Sequence, residues 1–453
     1  MSDTPPMAKV WKVNLVLLLI VLGGAATLWW LDAQEGQRVE ADKASKRITH
    51  HFSVQESSGP KAVVRVEWQY PSLGKEPQGA GRVTIVPQET APEGKGAPPG
   101  RWRITAPAAM QSNDGAVARL LGILGENYDR KVAESGADPA PYGLQSPAAV
   151  LTVHNGAGES LQLSVGQSAP ASKKHYLQVG AQGPVVLVPA QAVSGLLQSL
   201  NDVREKRLFA NPAGRLVQRI HRESPSGQTT LVREADKPWQ LLAPLKDLAS
   251  ESRVEAWLNA LLQISGSGFA PVSAEGAFKL VTPDWNLVLE GASGEKERVR
   301  IQRQEKRLLA WREGEVDALV LDSTQAEELD KSAMELIALR PLPLPQTPAK
   351  LQVTHQGKTL TATKEGGQWP KPVWNGVEDI LTREAWRGVS PKPHGDAWLT
   401  VIVFQDNEQR VIPFWKEGGS VVLAPPNRPL ELELTQYQVK AFEETIKALL
   451  AEE

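Results

Sequence analysis

The chain has 453 residues, a formal charge of −2, 23% charged and 41% hydrophobic residues, and no cysteine. That length exceeds one ordinary core and implies two to four domains. The interspersed charge excludes a basic nucleic-acid-binding face, and the missing thiols exclude disulfides, Cys-ligated zinc and cysteine nucleophiles.

Residues 1–12 read as a short cytoplasmic tail. Residues 13–31, VNLVLLLIVLGGAATLWWL, carry no charge, and Asn14 and Thr27 are their polar members. At ~1.5 Å per residue, about 19 residues reach across roughly 30 Å of hydrocarbon. Trp11 on one side and Trp29 and Trp30 on the other stand where interfacial aromatics belong. The run is therefore read as a transmembrane helix. The small residues 23–26 leave a cleaved signal open, whereas the apolar continuation through Leu31 favours an uncleaved anchor. Lys9 and Lys12 precede the run, and Arg38, Lys43, Lys46 and Arg47 follow it, so the positive-inside count does not set orientation. Leaving the short tail inside is the easier topology. The expected location is a bacterial inner membrane, single-pass, with the bulk of the chain in the periplasm. Residues 32–47 read as a stalk.

Alternating strands follow at residues 62–70 and 81–87, then a Pro- and Gly-rich loop over 88–100. Trp102 to Pro107 reads as a short strand ended by proline. Ser112 and Asn113 can cap a helix bearing Leu120, Leu121, Ile123 and Leu124. Residues 142–166 then read as a turn and a hairpin: Val150, Thr152 and His154 alternate with Leu151, Val153 and Asn155. Asn155-Gly156 favours the positive φ of a tight turn, and Leu161, Leu163 and Val165 share one face of the second strand. Strands at 175–179 and 184–188 lead into a helix from Pro189 through Val193, Leu196, Leu197 and Leu200 to Phe209. Its charged end, Arg204 to Arg207, reads as a solvated helix end or a docking surface.

The plan recurs. Strands at 216–220 and 229–233 precede Trp239, which echoes Trp102. Ser252 and Glu255 form a candidate capping box for a helix with Val254, Trp257, Leu258 and Leu261. Residues 280–283 echo 144–147, and strands at 285–289, 298–302, 308–311 and 318–321 follow. Thr324 and Glu327 can cap a closing helix to Leu339. A proline-rich linker, 341–348, is read as stiff and extended. The last copy offers strands at 351–354 and 359–363, Trp369 in place of the Trp strand, and a helix over 377–386. Strands at 399–404, 411–415 and 421–424 precede a last helix capped by Thr435 and Gln438. The expected class is α+β: a transmembrane helix, then about three tandem modules of mainly antiparallel sheet with two helices each. The modules span 48–212, 213–340 and 349–453. Their spacing of roughly 110–130 residues is far longer than that of solenoid repeats.

From Trp102 to Phe209 the chain resembles the DUF4340 family, a bacterial domain of unknown function, and the resemblance extends more weakly into the second repeat. Trp102 with Pro107, Tyr142-Gly143-Leu144 with Pro147, Val165-Gly166, Tyr176, Val188-Pro189 and Leu200 to Leu208 carry the likeness. The third copy departs most, with Pro393-His394-Gly395 where the Leu-x-x-Pro element is expected. Members look like single-span membrane proteins, and some resemble auxiliary components of gliding-motility-type ABC transporters. The resemblance thus implies a membrane location and permease and ATPase subunits as partners. It supplies no catalytic residues.

No chemistry-bearing motif stands out. Gly357-Lys358-Thr359 lacks the upstream glycine of a phosphate loop and falls in a hairpin turn. His50 and His51 are adjacent and diverge on any regular element, which argues against a shared metal. The expectation is a non-enzymatic protein with no cofactor. The chain holds 14 tryptophans. Trp102, Trp239 and Trp369 recur at one place in each copy, which favours packing. Trp374, Trp386, Trp398 and Trp415 gather in the third copy as a candidate partner or ligand surface. The alternative function they suggest is polysaccharide or peptidoglycan binding.

Overall fold

The computed structural model describes residues 29–30, 35, 45–54, 56, 58–70, 81–88, 102–170, 172–210, 216–234, 237–272, 283–292, 294–342, 348–384, 386–405, 408–434 and 436–451. The apolar run 13–31 lies outside them except for Trp29 and Trp30, which are exposed. Among the described residues no helix is long and apolar enough to cross a membrane. The loop over 88–100, the 280–282 echo and the Thr435 cap also fall outside, apart from Gln88. The chain divides into two compact units, residues 1–205 and 206–453.

The first unit holds one nine-stranded sheet. Its strands are β1 (Val63–Gln69), β2 (Arg82–Pro87), β3 (Trp102–Ala106), β4 (Met110–Gln111), β5 (Arg130–Ala133), β6 (Ala149–Asn155), β7 (Ser160–Ser168), β8 (Lys174–Val179) and β9 (Val185–Pro189). Their order is β4-β3-β2-β1-β6-β7-β8-β9-β5. Every pairing is antiparallel. In β6, Ala149, Leu151, Val153 and Asn155 are buried and their neighbours are not, which is the period of a strand with one covered face. The helix Asp114–Leu121 lies on that face with Val117, Leu120 and Leu121 in the core. It starts at Asn113, whose side chain accepts from the Ala116 N–H at 2.9 Å. Ser112, the other cap candidate, instead donates to the Trp102 carbonyl at 2.6 Å.

The 142–166 hairpin forms as expected, with Leu151 opposite Leu163 and Val153 opposite Leu161. Its turn works differently from the Asn-Gly expectation. Positive φ falls on Gly158, at 83°. Gly156 is required for room, because a Cβ there would lie 2.3 Å from the Gly59 carbonyl oxygen.

The expected helix from Pro189 to Phe209 is broken into Ala190–Val193 and Leu200–Val203. Gly195 presses against the preceding helix, where a Cβ would come within 2.3 Å of the Arg119 carbonyl oxygen. Ser199 and Asp202 then form a reciprocal box that restarts the turn. The helix ends at Val203, so Arg204 to Arg207 is no solvated helix end: Arg204 and Glu205 are buried.

The second unit carries two sheets. The first has β10 (Val217–Ser224), β11 (Gly227–Val232), β12 (Gln240–Ala243), β13 (Asp247–Leu248), β14 (Gly268–Pro271), β15 (Trp285–Gly291), β16 (Lys296–Gln304), β17 (Arg307–Arg312) and β18 (Asp317–Asp322), ordered β13-β12-β11-β10-β15-β16-β17-β18-β14. The other has β19 (Lys350–His355), β20 (Lys358–Thr363), β21 (Trp386–Val389), β22 (Leu399–Gln405), β23 (Glu408–Glu417), β24 (Ser420–Leu423) and β25 (Glu431–Leu434), ordered β20-β19-β22-β23-β24-β25-β21. All three sheets share one topology. A leading hairpin pairs through its first strand with a later meander, and a strand following the helix crosses to the far edge. The last sheet lacks counterparts of β3 and β4, or of β12 and β13. The architecture is α+β and sheet-rich.

Several local expectations are corrected. The helix Glu251–Gln263 starts after Ser250, so Ser252 lies within it and the Ser252–Glu255 box does not form. Glu255 instead accepts the indole N–H of Trp239 at 2.9 Å and Arg233 at 2.7 Å. The closing helix to Leu339 is two short pieces, Ala326–Leu329 and Ala333–Leu336, because Asp322 caps one turn and the Ser332–Glu335 box starts another. Trp369 belongs to no strand. The last copy's first helix is Val373–Thr382, and Trp386 opens β21. Leu208 and Phe209 pack into the core of the β10–β18 sheet.

Candidate functional site

The four candidate tryptophans of the third module do not form one surface. Trp374 is buried and stacks on Trp369, ring centroids 6.1 Å apart. Trp386 is buried against Phe414 and donates to the Ile380 carbonyl at 3.1 Å. It also lines a small cavity of about 120 Å³ beside Ile380, Leu434 and Phe442, between the helices Val373–Thr382 and Gln436–Ala451. Trp398 is half-buried, edge-on to His355 and Phe442. Trp415 is half-buried and donates to the Gly395 carbonyl at 3.0 Å.

Trp415 leads to a group that the sequence did not single out. The His394 ring lies flat on it, centroids 4.0 Å apart and planes at 12°. His394 Nδ1 is 2.7 Å from Glu417 Oε1. Nε2 is 2.9 Å from Glu431 Oε1, an ion-pair distance short of regular hydrogen-bond alignment. Lys392 closes on the far side of Glu417. Only an imidazolium can donate from both nitrogens. Burial opposes that charge and is the largest single influence. The contacts to Glu431 and Glu417 outweigh it, so the His394 pKa rises above its ordinary value.

A raised folded-state pKa means stability present below about pH 6.5, the unfolded value, and lost as pH rises through the folded one. Lys392 and His394 together hold Glu417 below the usual carboxylate range, so its contribution is lost only on strong acidification. His394→Gln is therefore expected to lower the melting temperature more at pH 6 than at pH 9. Calorimetric scans of both proteins at the two pH values check this; an equal loss at both would refute it.

A second polar group lies in the preceding module. Arg222 points from β10 into the core with its side chain fully buried, 2.9 Å from Asp330 Oδ1 and 2.8 Å from the Ser226 and Thr229 hydroxyls. Burial raises the Asp330 pKa and is its largest influence. The Ser224 and Ser226 hydroxyls and Arg222 reverse it and leave the carboxyl lower than usual. Beside this pair an open pocket of about 380 Å³ is lined by Trp285, Arg303, Glu327, Asp330, Lys331 and Glu335. Among the described residues no group of three or more His, Asp or Glu side chains is placed to hold a metal ion.

Residues 102–283 match the domain of unknown function DUF4340. The likeness carried by Trp102, Tyr142 and Pro147 therefore continues past Phe209 into the second repeat, as the sequence suggested. The DUF4340 match starts at β3 and stops just before β15, so it takes in parts of two sheets and the whole of neither. No curated protein and no solved structure matches the chain.

The Arg222 group was hidden in the sequence. Arg222 sits in a strand that reads VQRIHRES, where polar residues look solvent-facing, and Trp285 reads as one more strand aromatic. They share a core face because β10 pairs with β15, Arg222 opposite Leu287.

Proposed function

We propose that this protein is a non-enzymatic, single-span membrane protein whose extracytoplasmic modules bind partner subunits, as an accessory component of an ABC-type transport assembly. The observation that carries the reading is the repeated sheet. Three copies of one topology have their inner faces filled mainly with apolar side chains, and the β10–β18 and β19–β25 sheets are fastened to each other by a buried ion pair. Arg428, from the loop after β24, grips Asp247 of β13 at 2.6 and 3.0 Å, and its side chain also donates to the Ala338 and Arg340 carbonyls. Ser250 and Arg253 meet Glu384 nearby. Such a fastened pair suits a spacer that presents loops and sheet edges to other proteins. The uncharged run 13–31 supplies the anchor in this reading, and the family likeness supplies the transporter connection.

A cell-envelope polysaccharide- or peptidoglycan-binding role for the third module would rest on Trp398 and Trp415, the half-buried members of its aromatic group. Location and partnership are both testable. Because the chain has no cysteine, Lys306→Cys in the exposed β16–β17 turn gives one labelling site. A membrane-impermeant maleimide should modify it in cells with a permeabilised outer membrane. Protection until the inner membrane is broken would overturn the periplasmic placement, and recovery of the detergent-solubilised chain without a permease and ATPase would overturn the partnership.

A further inference from the structure

We propose that the second module holds a binding site for a small zwitterion, a molecule carrying both a carboxylate and an ammonium group such as a free amino acid or short peptide, between Trp285, Arg303 and Glu327. The inference does not rest on the transport-assembly reading.

The internal repeat provides the comparison. Trp285 opens β15 opposite Ile301, as Ala149 opens β6 opposite Val165 and Leu399 opens β22 opposite Phe414. Arg222 stands opposite Leu287, as Trp68 stands opposite Leu151 and Val353 opposite Val401. In the first and third modules this corner of the core is apolar, and the Trp68 indole donates to the Leu196 carbonyl at 3.1 Å. The second module instead places a buried guanidinium, a large indole and a pocket there. The fold alone does not require this, since its two sister copies close without it.

One buried unpaired donor and two solvent-facing charges beside it point to the ligand. Trp285 is 2% exposed, and its indole N–H is buried with no acceptor. The indoles of Trp239, Trp257, Trp311, Trp369, Trp386 and Trp415 all donate to a named oxygen. A buried unpaired donor costs ~1–3 kcal/mol, so one beside a pocket calls for an acceptor. Arg303 lies over the same ring, 5.3 Å from its centroid, and its guanidinium has no ion pair among the described residues. Glu327, exposed in the same lining, likewise has no ion pair among the described residues. The remaining charges are engaged: Asp330 with Arg222, and Lys331 with Glu335 at 3.8 Å. A carboxylate would satisfy the indole N–H and Arg303, and an ammonium would satisfy Glu327. A pocket of about 380 Å³ falls at the small end of ligand sites and suits an amino acid or dipeptide.

The test is isothermal titration of the full chain in mild detergent with L-alanyl-L-alanine, and separately with acetate and ethylammonium. Saturable binding of the dipeptide is expected, with neither one-charge probe matching it. Trp285→Phe, which keeps the packing and removes the N–H, and Glu327→Gln, on the exposed wall, should each weaken binding by about tenfold. No saturable heat with the dipeptide would overturn the proposal. So would unchanged affinity in both variants, or acetate binding as tightly as the dipeptide.

Discussion

Arg428→Ala should destabilise the second unit by roughly 3–5 kcal/mol, the cost of leaving a buried carboxylate unpaired. Asp247 and Arg428 have side chains 0% and 5% exposed. Truncation strands the Asp247 charge and removes the donors to two backbone carbonyls, which then lack those partners in a dry junction. The loss differs in kind from that of a surface pair, which is worth ~0–1 kcal/mol. Arg428→Met with Asp247→Leu should recover much of the stability, because no isolated charge remains. Urea unfolding at neutral pH, followed by tryptophan fluorescence, checks both. The single variant should also separate the unfolding of the β10–β18 and β19–β25 sheets into two transitions. An Arg428→Ala midpoint within error of the parent would refute the fastening.

Trp239→Ala should cost about 3–5 kcal/mol, as expected for emptying a large core site. Trp239 is fully buried; its backbone N–H reaches Glu251 at 3.2 Å, and Arg233 lies 4.6 Å over its ring. Trp239→Phe retains much of the volume and loses the bond to Glu255, so ~1–2 kcal/mol is expected. The same triad recurs in the third copy, where the Trp369 indole donates to Glu378 at 2.6 Å and Lys364 meets the other oxygen at 2.8 Å. The first copy keeps half of it. Trp102 N–H reaches Asp114 at 3.0 Å, but the residue one turn on is Ala118, with no carboxylate. Chemical denaturation of the two Trp239 variants checks the ranking; equal losses would assign the whole effect to the hydrogen bond.

Strands such as β6 and β15 were legible because each places a buried residue at every second position against one covered face. The threefold repeat was legible from Trp102, Trp239 and Trp369, although only Trp102 lies within a strand and its copy lacks the second carboxylate. Helix ends were harder. The residues around Val193 and Leu197 keep a helical apolar period, yet Gly195 has no room for a side chain against the Arg119 carbonyl and Ser199 restarts the turn. Trp386 read as the end of a helix, and its pairing with Leu434, far along the chain, draws it into a strand. The polar groups were hardest of all. His394, Glu417 and Glu431 come from a loop and the ends of two strands, and no spacing announces that they meet.

The most direct measurement is stoichiometric recovery of the full chain from native membranes in mild detergent, with co-purifying proteins identified and quantified by mass spectrometry. The account predicts a multi-span permease and its ATPase in fixed ratio to this chain. A homogeneous preparation with neither would contradict it.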